Sequence, residues 1–247
     1  MRYPLAVPGI KEFAYATVGG VGPTLLWLWF WLRQEDEGHT EPRGLILLCY
    51  IMGGLMVMLA IPLQKIVSHF TGMVGLIPII LWASIEELLK YKAVSVLALK
   101  SKFADRAIDF PMYMIAGALG FAAAENVLYL LNPLTNGDMT VSLLTTNLRF
   151  LGSTLLHAMA SSLIGISLGL SYYRGWMSRK IYLFFGIISA IALHSAFNFF
   201  IMNKTGVHTW QTLAMLWVFT VITILMFEKL KRIKTPAYTG ITINNNA

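Results

Sequence analysis

The chain has 247 residues, of which 57% are hydrophobic and only 13% charged, with a mean hydropathy of +0.66. That balance excludes a soluble domain of this length and defines an all-α, polytopic transmembrane helix bundle. The formal charge of +7 would invite a nucleic-acid partner in a soluble protein; here it sits between apolar runs, so it reports orientation in a bilayer and no nucleic-acid partner is expected.

At about 20 residues per spanning helix, seven spans fit. They are read over residues 13–32, 45–62, 73–98, 111–131, 149–173, 181–202 and 210–227. The first run ends in LLWLWFWL and continues into Arg33 with no small-residue cleavage site, so it is read as a retained helix. Trp27, Trp29 and Trp31 crowd its end, where an aromatic belt at the membrane interface is expected. Cys49, the single cysteine, lies in the second run, can form no intrachain disulfide and reads as packing. Residues 1–234 form one membrane domain, and 235–247 a short polar tail.

Counting loops alternately, one side holds Arg33 and Arg43, then Lys100, Lys102 and Arg106, then Arg174, Arg179 and Lys180, then Lys229, Lys231, Arg232 and Lys234. The other side is poor in cations. By the positive-inside rule the rich side is cytoplasmic, which puts the N-terminus outside, the C-terminus inside and the chain in the cell membrane as a multi-pass protein.

The third run, MVGLIPIILWASIEELLKYKAVSVLAL, places Glu86 and Glu87 near its middle. A charge at the bilayer centre costs about 2.5–3.5 kcal/mol on insertion scales, so such residues face a partner or a water-filled cavity. Lys90 follows Glu86 by four residues and Glu87 by three, within reach of either carboxylate. A structural salt bridge is one reading, but adjacent helix residues point about 100° apart and a single ammonium neutralises both carboxylates poorly. The fourth run carries GFAAAENVLY, with Phe121 one turn before Glu125 and Asn126 next; a small-residue packing face is the alternative there. Arg149 opens the fifth run, which reaches His157, and the sixth holds HSAFN, with His194 and Asn198 on one helix face. For His157 the alternative is an interhelical hydrogen bond.

These four patterns, Glu86-Glu87-x-x-Lys90, Phe121-x-x-x-Glu125-Asn126, Arg149 to His157 and His194-x-x-x-Asn198, resemble in order and spacing the motifs of the PrsW family of intramembrane proteases. The likeness covers about residues 73–202. It implies kinship with the superfamily of CAAX prenyl endopeptidases and bacterial immunity-type membrane proteases. It also implies a membrane-anchored protein substrate, such as an anti-sigma factor receiving its first cut.

The residue types allow this chemistry on their own terms. Peptide hydrolysis needs a base for water, a proton donor for the leaving amine and a stabilised oxyanion. Glu86 is read as the general base, Glu87 as sharing its proton, and Glu125 as orienting the water or His157. His194 and Asn198 are read as oxyanion donors, with Lys90 and Arg149 as electrostatic support. A zinc version would use His157, His194 and Glu125 as ligands. The H-E-x-x-H signature is absent, which weighs toward a metal-free glutamic mechanism. A proton-coupled transporter is the competing class, since intramembrane Glu, His and Lys also build proton relays; its inverted repeats are not found. Oligomeric state is not legible.

Overall fold

The computed structural model describes residues 8–35, 40–135, 152–202 and 207–233. Among them seven helices follow one another: α1 (Ile10–Leu32), α2 (Arg43–Thr71), α3 (Leu76–Val94), α4 (Asp109–Thr135), α5 (Thr154–Leu170), α6 (Trp176–Met202) and α7 (Val207–Lys231). A π-helical turn, Ser95–Leu99, closes α3. No strand occurs among the described residues. Arg149 and the tail 235–247 lie outside them.

Five helices are long and apolar enough to cross a membrane by themselves: α1, α2, α4, α6 and α7. The third, α3, carries four charges, Glu86, Glu87, Lys90 and Lys92, and α5 has only 17 residues. Helix α5 is buried on nearly every side, and α3 fits the bundle by inversion of the usual soluble pattern. On α3 the apolar Leu76, Ile77, Ile80 and Leu81 are exposed, while Glu86, Glu87 and Lys90 are buried. Charges inside and leucines outside are stable only where the surrounding solvent is hydrocarbon.

The centre of the bundle is α4. Its apolar window is 67% buried, against 22% for α1 and 28% for α2, so a polar side chain on α4 meets protein on most faces. It packs on α1, α2 and α5. Glycine makes two of these approaches possible. A Cβ on Gly53 of α2 would lie 1.9 Å from the Gly117 carbonyl oxygen of α4, and one on Gly120 would lie 1.7 Å from the Tyr50 carbonyl oxygen. Backbone thus meets backbone, the close approach that small residues permit in membranes. The two helices ascend together, Gly53 beside Gly117 and Val57 clustering with Phe121.

Three sequence expectations change. Helix α2 continues to Thr71 through Pro62, so Gln64 and Lys65 are helical and not loop residues. Of the three tryptophans only Trp29 is exposed; Trp31 is fully buried against Phe227, and Trp27 packs on Trp217. Helix α3 begins at Leu76, three residues later than read from hydropathy. Cys49 is buried and free, as its packing role requires.

Candidate active site

Four helices converge on one buried polar cluster. From α3 come Glu86, Glu87 and Lys90, all but sealed from solvent; from α5 comes His157, and from α6 His194, each 2% exposed. Glu125 of α4 reaches the same cluster from the side and keeps 21% of its side chain exposed. The spacing on α3 explains its share. Positions 86, 87 and 90 fall on one face, turned inward because its opposite face carries the apolar residues that meet lipid.

Glu87 is the most heavily bonded of the carboxylates. Its Oε1 accepts from the Lys90 ammonium at 2.7 Å and from His194 Nδ1 at 2.8 Å, and its Oε2 accepts from the Ser161 hydroxyl at 2.7 Å. Lys90 also donates to His157 Nδ1 at 2.8 Å. Since an ammonium only donates, Nδ1 of His157 is the accepting nitrogen, and Nε2 carries the proton toward Glu125 at 3.0 Å. By the same reasoning His194 donates its Nδ1 proton to Glu87 and keeps its lone pair on Nε2. The Phe121 ring caps the cluster, 4.5 Å from the Lys90 nitrogen and 5.6 Å from the His157 ring.

Glu86 differs. Its Oε1 accepts from the Gln64 amide at 2.8 Å, while its Oε2 is buried with no hydrogen-bond partner. That oxygen lies 3.6 Å from Lys90 Nζ, 3.8 Å from His157 Nδ1 and 3.7 Å from His194 Nε2. A cavity of about 310 Å³ lies beside Glu86, lined by Gln64, Glu86, Phe121 and Glu125 together with apolar residues of α2 and α4. Two of its lining residues, Leu128 and Tyr129, are exposed.

Glu86, His157 and His194 offer three donor atoms within 4.8 Å of one another, a group able to hold a metal ion. The fit is good on two counts. An unpartnered carboxylate oxygen faces an imidazole lone pair at 3.7 Å, close to the roughly 3–3.5 Å between ligand atoms that zinc bonds of about 2.0–2.2 Å imply. Each imidazole also has a carboxylate on its other nitrogen, Glu125 on His157 in line and Glu87 on His194, the outer-shell arrangement that orients metal-binding histidines. The carboxylate in this set is Glu86, where the sequence suggested Glu125.

Of the other residues singled out from sequence, Asn126 stands apart, bonding Thr154 at 3.0 Å and so tying α4 to α5. Asn198 is half-buried one turn beyond His194. Two cluster members carried no motif. Ser161 lies four residues after His157 and therefore on its face, a signal that spacing held. Gln64 follows Val57 and Ala60 at helical intervals on the cavity face of α2; its signal was hidden by the apparent end of the apolar run.

A polytopic bundle that buries imidazoles and carboxylates together beside a cavity has the build of a membrane-embedded hydrolase or of a proton relay, and the family decides between them. The chain belongs to the PrsW family: the model of the PrsW family intramembrane metalloproteases matches residues 41–226. It is 22% identical over 209 residues to Protease PrsW of Clostridioides difficile (strain 630), covering 82% of this chain and 85% of that relative. No solved structure matches the chain significantly. The protein is therefore a peptidase of the membrane, and its helices and membership of the family place it as an integral membrane protein.

Proposed function

We propose that the chain cuts a membrane-anchored protein, with the attacking water activated at Glu86. The observation that carries this reading is Glu86, whose Oε2 has no hydrogen-bond partner and lies beside the two imidazoles, in the lining of a cavity. Glu86, His157 and His194 would hold a divalent ion such as Zn²⁺, which when bound supplies Lewis-acid polarisation of water and of the scissile carbonyl. Glu125, the other carboxylate on the cavity wall, takes the proton of the water as its oxygen bonds to the carbonyl carbon. It returns that proton to the amide nitrogen as the C–N bond breaks. Asn198 donates to the developing oxyanion. Glu87, Lys90 and Phe121 are positioning residues that hold the imidazoles, and Arg149 is electrostatic support. The whole of 1–234 serves as one protease domain.

A second reading keeps the same residues without a metal. Lys90 already occupies His157 Nδ1 at 2.8 Å, which favours Glu86 as the general base in its own right.

The test is cleavage of a membrane-anchored reporter by purified protein in bilayers. Activity present in the parent and absent from Glu86→Gln, with both equally folded, supports the proposal; equal activity in the two sinks it. The resemblance to PrsW proteases suggests an anti-sigma factor as substrate class. Comparative membrane proteomics of a deletion strain tests this, since trimming of such a protein should disappear.

The basic loops of α1–α2, α3–α4 and α5–α6 lie at one end of the bundle, and the site lies toward the other. Gln64 is seven residues from the last residue of α2, or about 10 Å at 1.5 Å per residue. With basic loops cytoplasmic, the cavity opens nearer the outer face of the cell membrane. A cysteine at Ser153, in a Cys49→Ala background, should react with an impermeant thiol reagent from outside; reaction only from inside reverses the orientation.

A further inference from the structure

The end of the bundle remote from the active site holds a second cavity, of about 330 Å³, lined by Leu168, Arg174, Trp176, Arg179, Lys180 and Leu183. His194 is 18 residues further along α6 than Trp176, about 27 Å by helical rise, so the two sites are separate. Three cations surround this cavity. The Arg174 guanidinium stands 5.2 Å from the Tyr182 ring, Arg179 stands 5.7 Å from the Tyr172 ring and 5.9 Å from Phe110, and the Lys180 ammonium stands 3.8 Å from the Trp176 ring.

Aromatic faces orient these cations without neutralising them. Among the described residues none of the three has a carboxylate within salt-bridge distance. On the same end Arg43 pairs with Glu35 at 2.8 Å and Lys231 with Glu228 at 2.8 Å; what sets Arg174, Arg179 and Lys180 apart is that all three line one cavity. Three cations around one concavity, none of them in an ion pair among the described residues, form an anion site.

The neighbouring surface says what kind of molecule carries that anion. Beyond Lys180, α6 presents Ile181, Phe184, Phe185 and Ile188 exposed in succession, an apolar strip that begins at the cavity and continues along the membrane-spanning helix. Trp176, exposed at the junction, suits the boundary between headgroups and hydrocarbon. A soluble phosphate would use only the cavity. A molecule with phosphate at one end and acyl chains at the other would use both.

We propose that this cavity binds the headgroup phosphate of an anionic phospholipid, with the acyl chains along Ile181, Phe184 and Phe185. Basic pockets between transmembrane helices bind such headgroups, and each cation near an anionic surface contributes about a fivefold gain in affinity. Three together are worth about a hundredfold.

Native mass spectrometry of the delipidated, detergent-solubilised protein titrated with phosphatidylglycerol or phosphatidylcholine tests the site. The parent should retain phosphatidylglycerol preferentially, and R174Q/R179Q/K180Q should weaken that binding about a hundredfold, to the phosphatidylcholine level. The charge-keeping R174K/R179K/K180R should retain the preference, which separates loss of charge from loss of fold. A triple glutamine variant that is folded yet binds phosphatidylglycerol like the parent overturns the proposal, as does parent protein with no preference between the lipids. Glycerol 3-phosphate supplies the soluble arm: displacement of the lipid at equal concentration would make this a soluble-phosphate site and overturn the lipid assignment.

Discussion

The Gln64 side-chain amide donates to Glu86 Oε1 at 2.8 Å, joining α2 to α3 at the floor of the cavity, while Trp82 donates to the Gln64 backbone carbonyl at 3.3 Å. One oxygen of Glu86 is thereby pinned and the other left to face the two imidazoles. A residue outside every motif sets the direction of the carboxylate on which the chemistry turns.

Gln64→Leu should therefore lower kcat with little change in KM. A hydrogen bond to a charged group contributes about 1.5–3 kcal/mol, so the expected loss is roughly 10- to 100-fold. Gln64→Asn, too short to span the gap, should resemble Leu. Kinetics on the membrane-anchored reporter decide it, and a variant with parental kcat removes Gln64 from the mechanism.

The two glutamates should part company under mutation. Glu87→Gln leaves the fully buried Lys90 without its nearest counter-charge and weakens the bonds to His194 and Ser161. Breaking a buried pair costs about 3–5 kcal/mol, so folded yield in detergent should fall sharply. Glu86→Gln keeps the shape, loses no hydrogen bond from Oε2 and gives up only the looser 3.6 Å pairing with Lys90, so it should stay folded and lose cleavage. Size-exclusion profiles and thermal unfolding of the two variants, side by side, would contradict this if Glu86→Gln were the less stable.

Removal of metal should abolish activity. Prolonged dialysis against a chelator, then readdition of Zn²⁺, is expected to eliminate and restore cleavage, and His194→Ala should lower the bound zinc measured by mass spectrometry. Full activity in protein shown to be metal-free would transfer the water-activating role to Glu86 alone.

The contact of α2 with α4 gives a prediction about packing. Gly120→Ala sets a methyl 1.7 Å from the Tyr50 carbonyl oxygen, a distance that forces the helices apart. Overpacking costs typically about 1–3 kcal/mol, and here it also moves Gln64 relative to Glu125. Thermal unfolding should fall by several degrees, whereas Gly22→Ala, with open space around it, should leave the midpoint unchanged.

The bundle and the main members of the cluster were legible because an ionisable side chain in an apolar run has few reasons to be there. Glu86, Glu87, His157 and His194 each announced themselves by cost. Gln64 and Ser161 did not, since uncharged polar residues are cheap in a membrane helix and Pro62, Gln64 and Lys65 together imitate its end. Trp31 misled for a related reason: hydropathy records that a side chain is amphipathic, not whether it turns to lipid or to Phe227. The exchange of Glu86 for Glu125 in the donor set depended on which imidazole nitrogen faces which carboxylate, information that spacing along separate helices does not carry.

The size of the catalytic cavity bears on which proteins can be cut at all. A cavity of about 310 Å³ is of side-chain dimensions, whereas a helix with its side chains is about 10–12 Å across. An intact transmembrane helix does not enter such a space. A peptide bond reaches Glu86 only after its segment has surrendered its internal hydrogen bonds and extended, at a free-energy cost that falls where glycine, proline or β-branched residues already weaken the helix. Under the proposed function, substrates would be sorted by how readily they unravel, before any side chain of theirs is recognised.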